Sequence, residues 1–233
     1  MRQRPIVTMD GPAGAGKSTV SRAVAQRLAY LLLDTGALYR CVALAVQQAD
    51  AKTDDERSVG AVAERLASGG AIQFSGSSVL LWGQDVSRAI RVQSVGEVAS
   101  RISALPSVRA ALLDLQRSFG ARGGIVAEGR DLGTVVFPDA EAKFYLTASS
   151  EVRARRRHAE LSERGESATL DEVRREVIER DERDSRRTAA PLRQAEDAIL
   201  VDCSSLSVEQ VVTRIVARVR EIEGSLRNGA PEG

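Results

Sequence analysis

Apolar residues fall in short blocks along the chain, separated by stretches with helical spacing. Pro5 to Met9 reads as a buried strand and runs into a glycine-rich turn. From Lys17 to Leu28 the apolar positions recur with helical period. Leu31 to Leu33 is a second short run, closed by Asp34-Thr35-Gly36, which has the look of a helix entry. Between Ala37 and Gln47, the residues Leu38, Val42, Ala45 and Val46 share one helical stripe. Asp50 to Arg57 is polar and reads as a surface connection.

The pattern changes at Ala71. Ile72 and Phe74 alternate with polar neighbours, Ser75-Gly76-Ser77-Ser78 makes a turn, and Val79 to Trp82 supplies a partner run. That is a hairpin inserted into a chain otherwise patterned as strand–helix units. Helices are expected over Val92 to Ala104 and Ser107 to Phe119, divided at Pro106. Gly124 to Glu128, Lys143 to Thr147 and Ala198 to Asp202 read as three more buried strands. Two highly charged helices, Ser150 to Arg164 and Leu170 to Arg187, separate the last two. An amphipathic helix over Ser207 to Ile222 closes the domain, and a disordered tail is expected from Gly224. Strands alternating with helices imply a parallel sheet wrapped by helices, an α/β fold.

A chain of 233 residues, 43% hydrophobic, accommodates one core with inserted subdomains. The net charge of +1 gives no basic footprint for nucleic acid. Cys41 and Cys203 match no metal or redox spacing, which points to a cytoplasmic protein without a disulfide. His158 is the single histidine, so a histidine metal site or catalytic triad is excluded. No apolar run approaches the roughly 18 residues of a membrane span, and the N-terminus lacks the pattern of a signal peptide. Lysine occurs only at Lys17, Lys52 and Lys143. In so arginine-rich a chain, a lysine at position 17 suggests that a compact ammonium is needed there.

Position 17 lies in Gly11-Pro12-Ala13-Gly14-Ala15-Gly16-Lys17-Ser18-Thr19, a complete P-loop pattern between a strand and a helix. Glycines let backbone N–H groups turn toward a phosphate, and the helix N-terminus adds positive potential. Lys17 can reach the β- and γ-phosphates of ATP, and Ser18 can place its hydroxyl on Mg²⁺. This motif leaves open kinases, GTPases and mechanical ATPases. A guanine-reading Asn/Thr-Lys-x-Asp segment is absent, and a 25.0 kDa chain has little room for the parts of a motor. Ile125 to Glu128 has the character of a Walker B strand, but Gly129-Arg130-Asp131 follows, and an arginine there suits a substrate phosphate better than a metal.

Five segments then make the chain resemble the bacterial cytidylate kinases. They are the P-loop at 11–19, Leu-Asp-Thr-Gly-Ala-Leu-Tyr-Arg at 33–40, and Glu-Gly-Arg-Asp-Leu-Gly-Thr-Val-Val-Phe-Pro-Asp-Ala at 128–140. The others are Arg-Asp-Glu-Arg-Asp-Ser-Arg-Arg at 180–187 and Ala-Pro-Leu at 190–192. The inserted hairpin matches as well, and the resemblance extends over about residues 5 to 222. Glu128 stands where the family usually has Asp, and Thr35 where Ser is common.

The resemblance implies a P-loop core with a five-stranded parallel sheet, an inserted nucleoside monophosphate (NMP) domain with a small antiparallel sheet, and a helical lid. The expected boundaries are 1–34, 105–150 and 188–223 for the core, 35–104 for the NMP domain, 151–187 for the lid and 224–233 for the tail. It further implies transfer of the γ-phosphoryl group of ATP to CMP or dCMP, with Mg²⁺, by a monomer. Thr35, Tyr39 and Arg40 would line the acceptor pocket, with Arg40 on the CMP phosphate. Ser100 and Arg109 would approach the base, Arg130 would grip the acceptor phosphate, and Asp131 would meet the cytosine.

Arg180, Asp184 and Arg187, spaced i, i+4 and i+7, share a helix face. The resemblance places Arg180 and Asp184 on the ribose and Arg187 on the base. Arg153, Arg156 and Arg157 cluster on the preceding helix, where charged faces are often simply solvated. Lys17, Arg130, Arg153 and Arg157 are the candidates to surround the transferring group. For Tyr39 and Arg40 the alternative is a helix face packed against the insert. Two other readings stay open: a shikimate- or dephospho-coenzyme-A-type kinase, and an ATP-dependent switch that uses its arginines electrostatically.

Overall fold

The structure is a computed structural model and describes residues 2–68, 70–75, 78–163, 165–187 and 189–228. The chain begins with β1 (Ile6–Asp10), α1 (Lys17–Leu28), β2 (Leu31–Asp34), α2 (Thr35–Gln48) and α3 (Glu56–Ser68). Three short strands follow, β3 (Ile72–Ser75), β4 (Ser78–Leu81) and β5 (Gln84–Asp85), then α4 (Gln93–Ile102) and α5 (Pro106–Gly120). Next come β6 (Ile125–Glu128), β7 (Ala142–Thr147), α6 (Ser150–Glu163), α7 (Leu170–Ser185), β8 (Ile199–Asp202) and α8 (Val208–Asn228). The chain divides into two compact units, one running up to Leu33 and resuming at Arg122, the other Asp34–Ala121.

The first unit is built on the expected five-stranded parallel sheet, and its strands run in the order β2-β6-β1-β7-β8. All five residues of β1 are buried. A parallel strand covered on both faces reads as a continuous apolar run, which is why Ile-Val-Thr-Met was legible as a strand. Met9 pairs with Glu128 of β6, and Asp10 with Tyr145 of β7. Val20 and Val24 of α1 pack with Ile215, Val216 and Val219 of α8 and with Phe144 and Leu146 of β7. Leu161 of α6 meets Val173 and Val177 of α7 in a small separate cluster. The start of α7 is fixed by a capping box, in which Thr169 and Glu172 exchange backbone and side-chain hydrogen bonds.

The second unit gathers Leu38, Val42 and Val46 of α2 with Val59 and Leu66 of α3, Ile102 of α4 and Leu112 of α5. Its three-stranded antiparallel sheet, in the order β3-β4-β5, contributes Ile72, Val79 and Leu81 to the same cluster. Phe74 and Phe119 meet edge to face with centroids 5.7 Å apart.

Several elements differ from the sequence expectation. Helix α3 begins at Glu56 inside the stretch read as a connection, because Asp55 takes the Ser58 N–H at 3.3 Å and caps it. Strand β5 adds a third member to the hairpin; Gly76 and Ser77 of the expected turn lie outside the described residues. Helix α5 belongs to the second unit, packed with α3, whereas residues from 105 on were assigned to the core. Helix α7 ends at Ser185, so Arg187 lies past it instead of on its face. Helix α8 runs on to Asn228, past the expected tail start at Gly224; residues 229–233 lie outside the described residues.

Candidate active site

The P-loop connects β1 to α1 in the first unit. Gly11 has φ 141°, and a Cβ placed on it would sit 1.9 Å from the Leu146 carbonyl oxygen, so only glycine fits against β7 there. Gly16 caps α1 in the left-handed region, at φ 92°. Lys17 is 7% exposed, and its Nζ donates to the Gly11 and Pro12 carbonyls, each at 2.8 Å. Burial pushes its ammonium well below the usual lysine range, and the positive charges of Arg130 and Arg180 push the same way; Glu128 and Asp10 oppose them. Ser18 and Thr19 are exposed in the first turn of α1.

Helix α6 sends two arginines back to this loop. Arg153 is buried; its Nε donates to Ala148 O at 2.9 Å, its Nη1 to Ala13 O at 3.1 Å, and its Nη2 pairs with Asp181 of α7 at 2.6 Å. It is therefore no solvated surface arginine. Arg156 donates to Ala15 O at 3.4 Å and to Cys203 O at 2.7 Å. Arg157, expected among the charges around the transferring group, instead pairs with Glu160 one turn along the helix at 3.3 Å. The i, i+3 spacing puts Arg153 and Arg156 on the loop-facing side and leaves Arg157 aside.

Beyond β6 the chain passes Gly129, Arg130 and Asp131 and enters a π-helical turn, Leu132–Val136. Arg130 Nε donates to Asp184 Oδ2 at 3.1 Å, and its Nη1 to Gly129 O at 3.1 Å. Arg187 pairs with the other oxygen of Asp184, which is 1% exposed. Leu192 N donates to the Asp184 carbonyl at 2.8 Å, drawing the chain after α7 into the cluster. Asp131 is buried, and its carbonyl accepts from Val135 N at 2.9 Å to start the turn. Asp10, buried at the end of β1, accepts from Leu132 N at 2.9 Å and Gly133 N at 2.8 Å. Burial raises its carboxyl to about 6 against the pull of those two N–H groups; the charge of Asp131 adds to the rise and that of Lys17 resists it.

Arg180 lies on α7 in the first unit, and the second unit holds the remaining expected residues. Asp34 caps α2 by accepting from Ala37 N at 3.0 Å and pairs with Arg91 at 2.5 Å. Thr35, the first residue of α2, and Ser100 of α4 are buried. Arg40 donates to Ile90 O at 2.8 Å, and its guanidinium lies 3.1 Å from where a Cβ on Gly96 would stand. The Arg109 guanidinium lies 5.8 Å from the Tyr39 ring centroid and donates to Ser103 O at 3.2 Å.

Of the residues expected from the sequence, Arg130, Asp184 and Arg187 form one ion-paired cluster, and Lys17 feels the charge of Arg130. Sequence reasoning missed the roles of Asp10, Arg156 and Asp181. A carboxylate inside an apolar strand was the available signal for Asp10, and the three-residue step from Arg153 was the signal for Arg156.

A P-loop on a five-stranded parallel sheet, with Arg153 and Arg156 of α6 bonded to its carbonyls and the charge of Arg130 felt at Lys17, has the architecture of a P-loop kinase. The chain belongs to the cytidylate kinase family, whose description "Cytidylate kinase" matches residues 7–221. A cytidylate kinase of Citrifermentans bemidjiense is 50% identical over 216 residues, 93% of this chain and 93% of that protein. One from Geobacter sp. is 49% identical with the same coverage, 93% of each chain. Among solved structures, an uncharacterized protein from Eubacterium ventriosum shares the fold at TM-score 0.55 and 8% identity, over 94% of this chain and 99% of that one. Among the described residues no helix is long and apolar enough to cross a membrane.

Proposed function

We propose that the protein transfers the γ-phosphoryl group of ATP to CMP, and to dCMP, forming ADP and the nucleoside diphosphate. The observation that carries this reading is the network in which the buried Asp184 pairs with Arg130 and Arg187, in the same unit as the P-loop lysine. A carboxylate that fixes two guanidiniums beside a triphosphate loop prepares a second anion site, which a hydrolytic switch does not need.

The P-loop amides and Lys17 hold the triphosphate of ATP. Among the described residues no three His, Cys, Asp or Glu side chains gather into a metal cage, so Mg²⁺ would arrive with the phosphates and take the exposed Ser18 hydroxyl as one oxygen ligand. When bound it offsets charge on the β- and γ-phosphates. Arg130 holds the acceptor phosphate in line, and Arg180 and Asp184 hold the ribose. The acceptor phosphate is itself the anionic nucleophile, so positioning and charge stabilisation carry the rate and no general base is required. Arg187 and Asp131 act toward the base; within the second unit, Thr35, Tyr39, Arg40, Ser100 and Arg109 are further acceptor positions. Arg153 acts by seating α6 on the P-loop.

The substrates are small molecules; the enzyme acts as a monomer, without nucleic acid or membrane, and the buried thiols Cys41 and Cys203 suit the reducing cytoplasm. An acceptor screen with Mg-ATP and the four ribonucleoside monophosphates plus dCMP tests the reading. ADP should form fastest with CMP or dCMP; ADP formed at one rate with and without acceptor would overturn it.

A further inference from the structure

We propose that Asp10 is a positioning residue that holds the Arg130–Asp131 segment in register with the P-loop, and so sets how tightly the acceptor nucleotide is held. The inference rests on the acceptor role given above to Arg130 and Asp131.

The backbone ladder between β1 and β6 ends at the pairing of Met9 with Glu128, and the last link beyond it is Gly129 N donating to Met9 O at 3.0 Å. Past that point β1 becomes the P-loop and β6 becomes the acceptor segment, and the two diverge. The Asp10 carboxylate bridges the gap. Its oxygens take the N–H groups of two consecutive residues, Leu132 and Gly133, at 2.9 and 2.8 Å. These open the π-helical turn whose preceding residues are Arg130 and Asp131.

The seat is tight. A Cβ on Gly133 would come 3.2 Å from Thr8 Oγ1, 3.2 Å from Lys143 Cδ and 3.4 Å from Asp10 Oδ2. Burying a carboxylate is costly, and an apolar residue would fill the same place in β1 without that cost. What an apolar residue cannot do is accept two converging N–H groups. An asparagine can accept only one and would turn an NH₂ donor toward the other. Gly11, the next residue, begins the loop that holds the donor phosphates. Asp10 thus joins the donor loop and the acceptor segment through one side chain.

Steady-state kinetics of wild type, Asp10→Asn, Gly133→Ala and the double variant test this. Losing one charged hydrogen bond should raise KM for CMP by about tenfold, while KM for ATP stays within about twofold. Gly133→Ala, which lifts the turn off an intact carboxylate, should shift the same constant in the same direction. The double variant should be little worse than Asp10→Asn alone, because both changes break one contact. If Asp10→Asn fails to fold, the KM split in Gly133→Ala decides. Equal rises in the two KM values, or no rise for CMP, would overturn the inference while leaving CMP as the acceptor. Wild type that ignores CMP would overturn the functional reading, and this inference with it.

Discussion

Arg130 reaches Asp184 from a different part of the chain, Nε to Oδ2 at 3.1 Å, and the carboxylate it meets is almost wholly buried. Asp184 also holds Arg187 on its second oxygen. The residue therefore has two functions, anchoring the acceptor arginines and accepting from a ribose hydroxyl through its remaining lone pairs. Removing it should harm both. Breaking a buried pair by deleting one partner costs about 3–5 kcal/mol, so Asp184→Ala should lower the urea midpoint strongly. Its KM for CMP should rise more than its KM for dCMP, since only CMP offers a 2′-hydroxyl. Equal rises would remove the ribose contact and leave the anchoring role alone.

Lys17 is the group on which phosphoryl transfer should depend most. Its ammonium is already turned into the P-loop, on the carbonyls of Gly11 and Pro12. Lys17→Ala should lower kcat by about 10³-fold or more, on the scale of a lost transition-state cation. Circular dichroism should show an unchanged fold. A purified variant with more than about a tenth of wild-type kcat would contradict the phosphate-binding role.

The arginines of α6 should divide by the side of the helix they occupy. Arg156 joins the P-loop carbonyl of Ala15 to Cys203 at the end of β8, so Arg156→Ala should loosen the loop that holds ATP. Its KM for ATP should rise by about tenfold, the scale of one lost charged hydrogen bond. Arg157 is paired with Glu160, a surface contact of small energy, and Arg157→Ala should leave both KM values and kcat within about twofold. A large kcat loss in Arg157→Ala would restore it to the transfer site.

These contrasts show where sequence reading succeeds. The run from Ile6 through the P-loop to Leu28 was legible because strand, turn and helix follow one another and each carries its own local signal. The same holds for the pairing of β3 with β4, a contact between near neighbours in the chain. The sheet order was not legible in the sequence, since parallel pairing joins distant segments such as β1 and β6 and leaves no local mark. The π-helical turn escaped for a related reason. It is held by the side chain of Asp10, which precedes Leu132 by 122 positions. Arg187 was placed on a helix face by its spacing, but it reaches Asp184 from beyond the helix end. Spacing found the partners and not the backbone that joins them.

Asp10 should leave a mark on stability as well as on kinetics. Its folded carboxyl lies at about 6, above the ordinary 3.8, chiefly through burial. A raised acid binds its proton more tightly in the folded state, so its stabilising contribution is complete below about pH 3.8 and lost as pH rises through 6. The neighbouring charges are Asp131, which strengthens the shift, and Lys17, which resists it; Tyr145 of β7 stays neutral throughout that window. Asp10→Asn cannot titrate. Relative to it, wild type should lose on the order of 3 kcal/mol of unfolding free energy between pH 4 and pH 7. Urea unfolding of both proteins at several pH values reads this difference directly. Parallel stability curves would mean that Asp10 keeps an ordinary pKa in the fold.

Base choice should fall to Asp131. It is buried at the head of the π-helical turn, one residue from the Arg130 that meets Asp184. Cytosine presents an amino group at N4 where uracil has a carbonyl, and a carboxylate is the natural acceptor for that amino group. UMP would set its O4 against the carboxylate, two acceptors with no proton between them. A site built around a substrate N–H can reject analogues lacking it by about 10⁴-fold, because a buried polar group is left without its partner. Wild type should therefore favour CMP strongly over UMP. Asp131→Asn can rotate its amide to donate to O4, so UMP should gain relative to CMP even as CMP itself loses. If Asp131 served only to orient Arg130, the substitution would slow both acceptors by one factor. The test is kcat/KM for CMP and UMP in both proteins. A CMP/UMP ratio unchanged by Asp131→Asn would take base reading away from this residue.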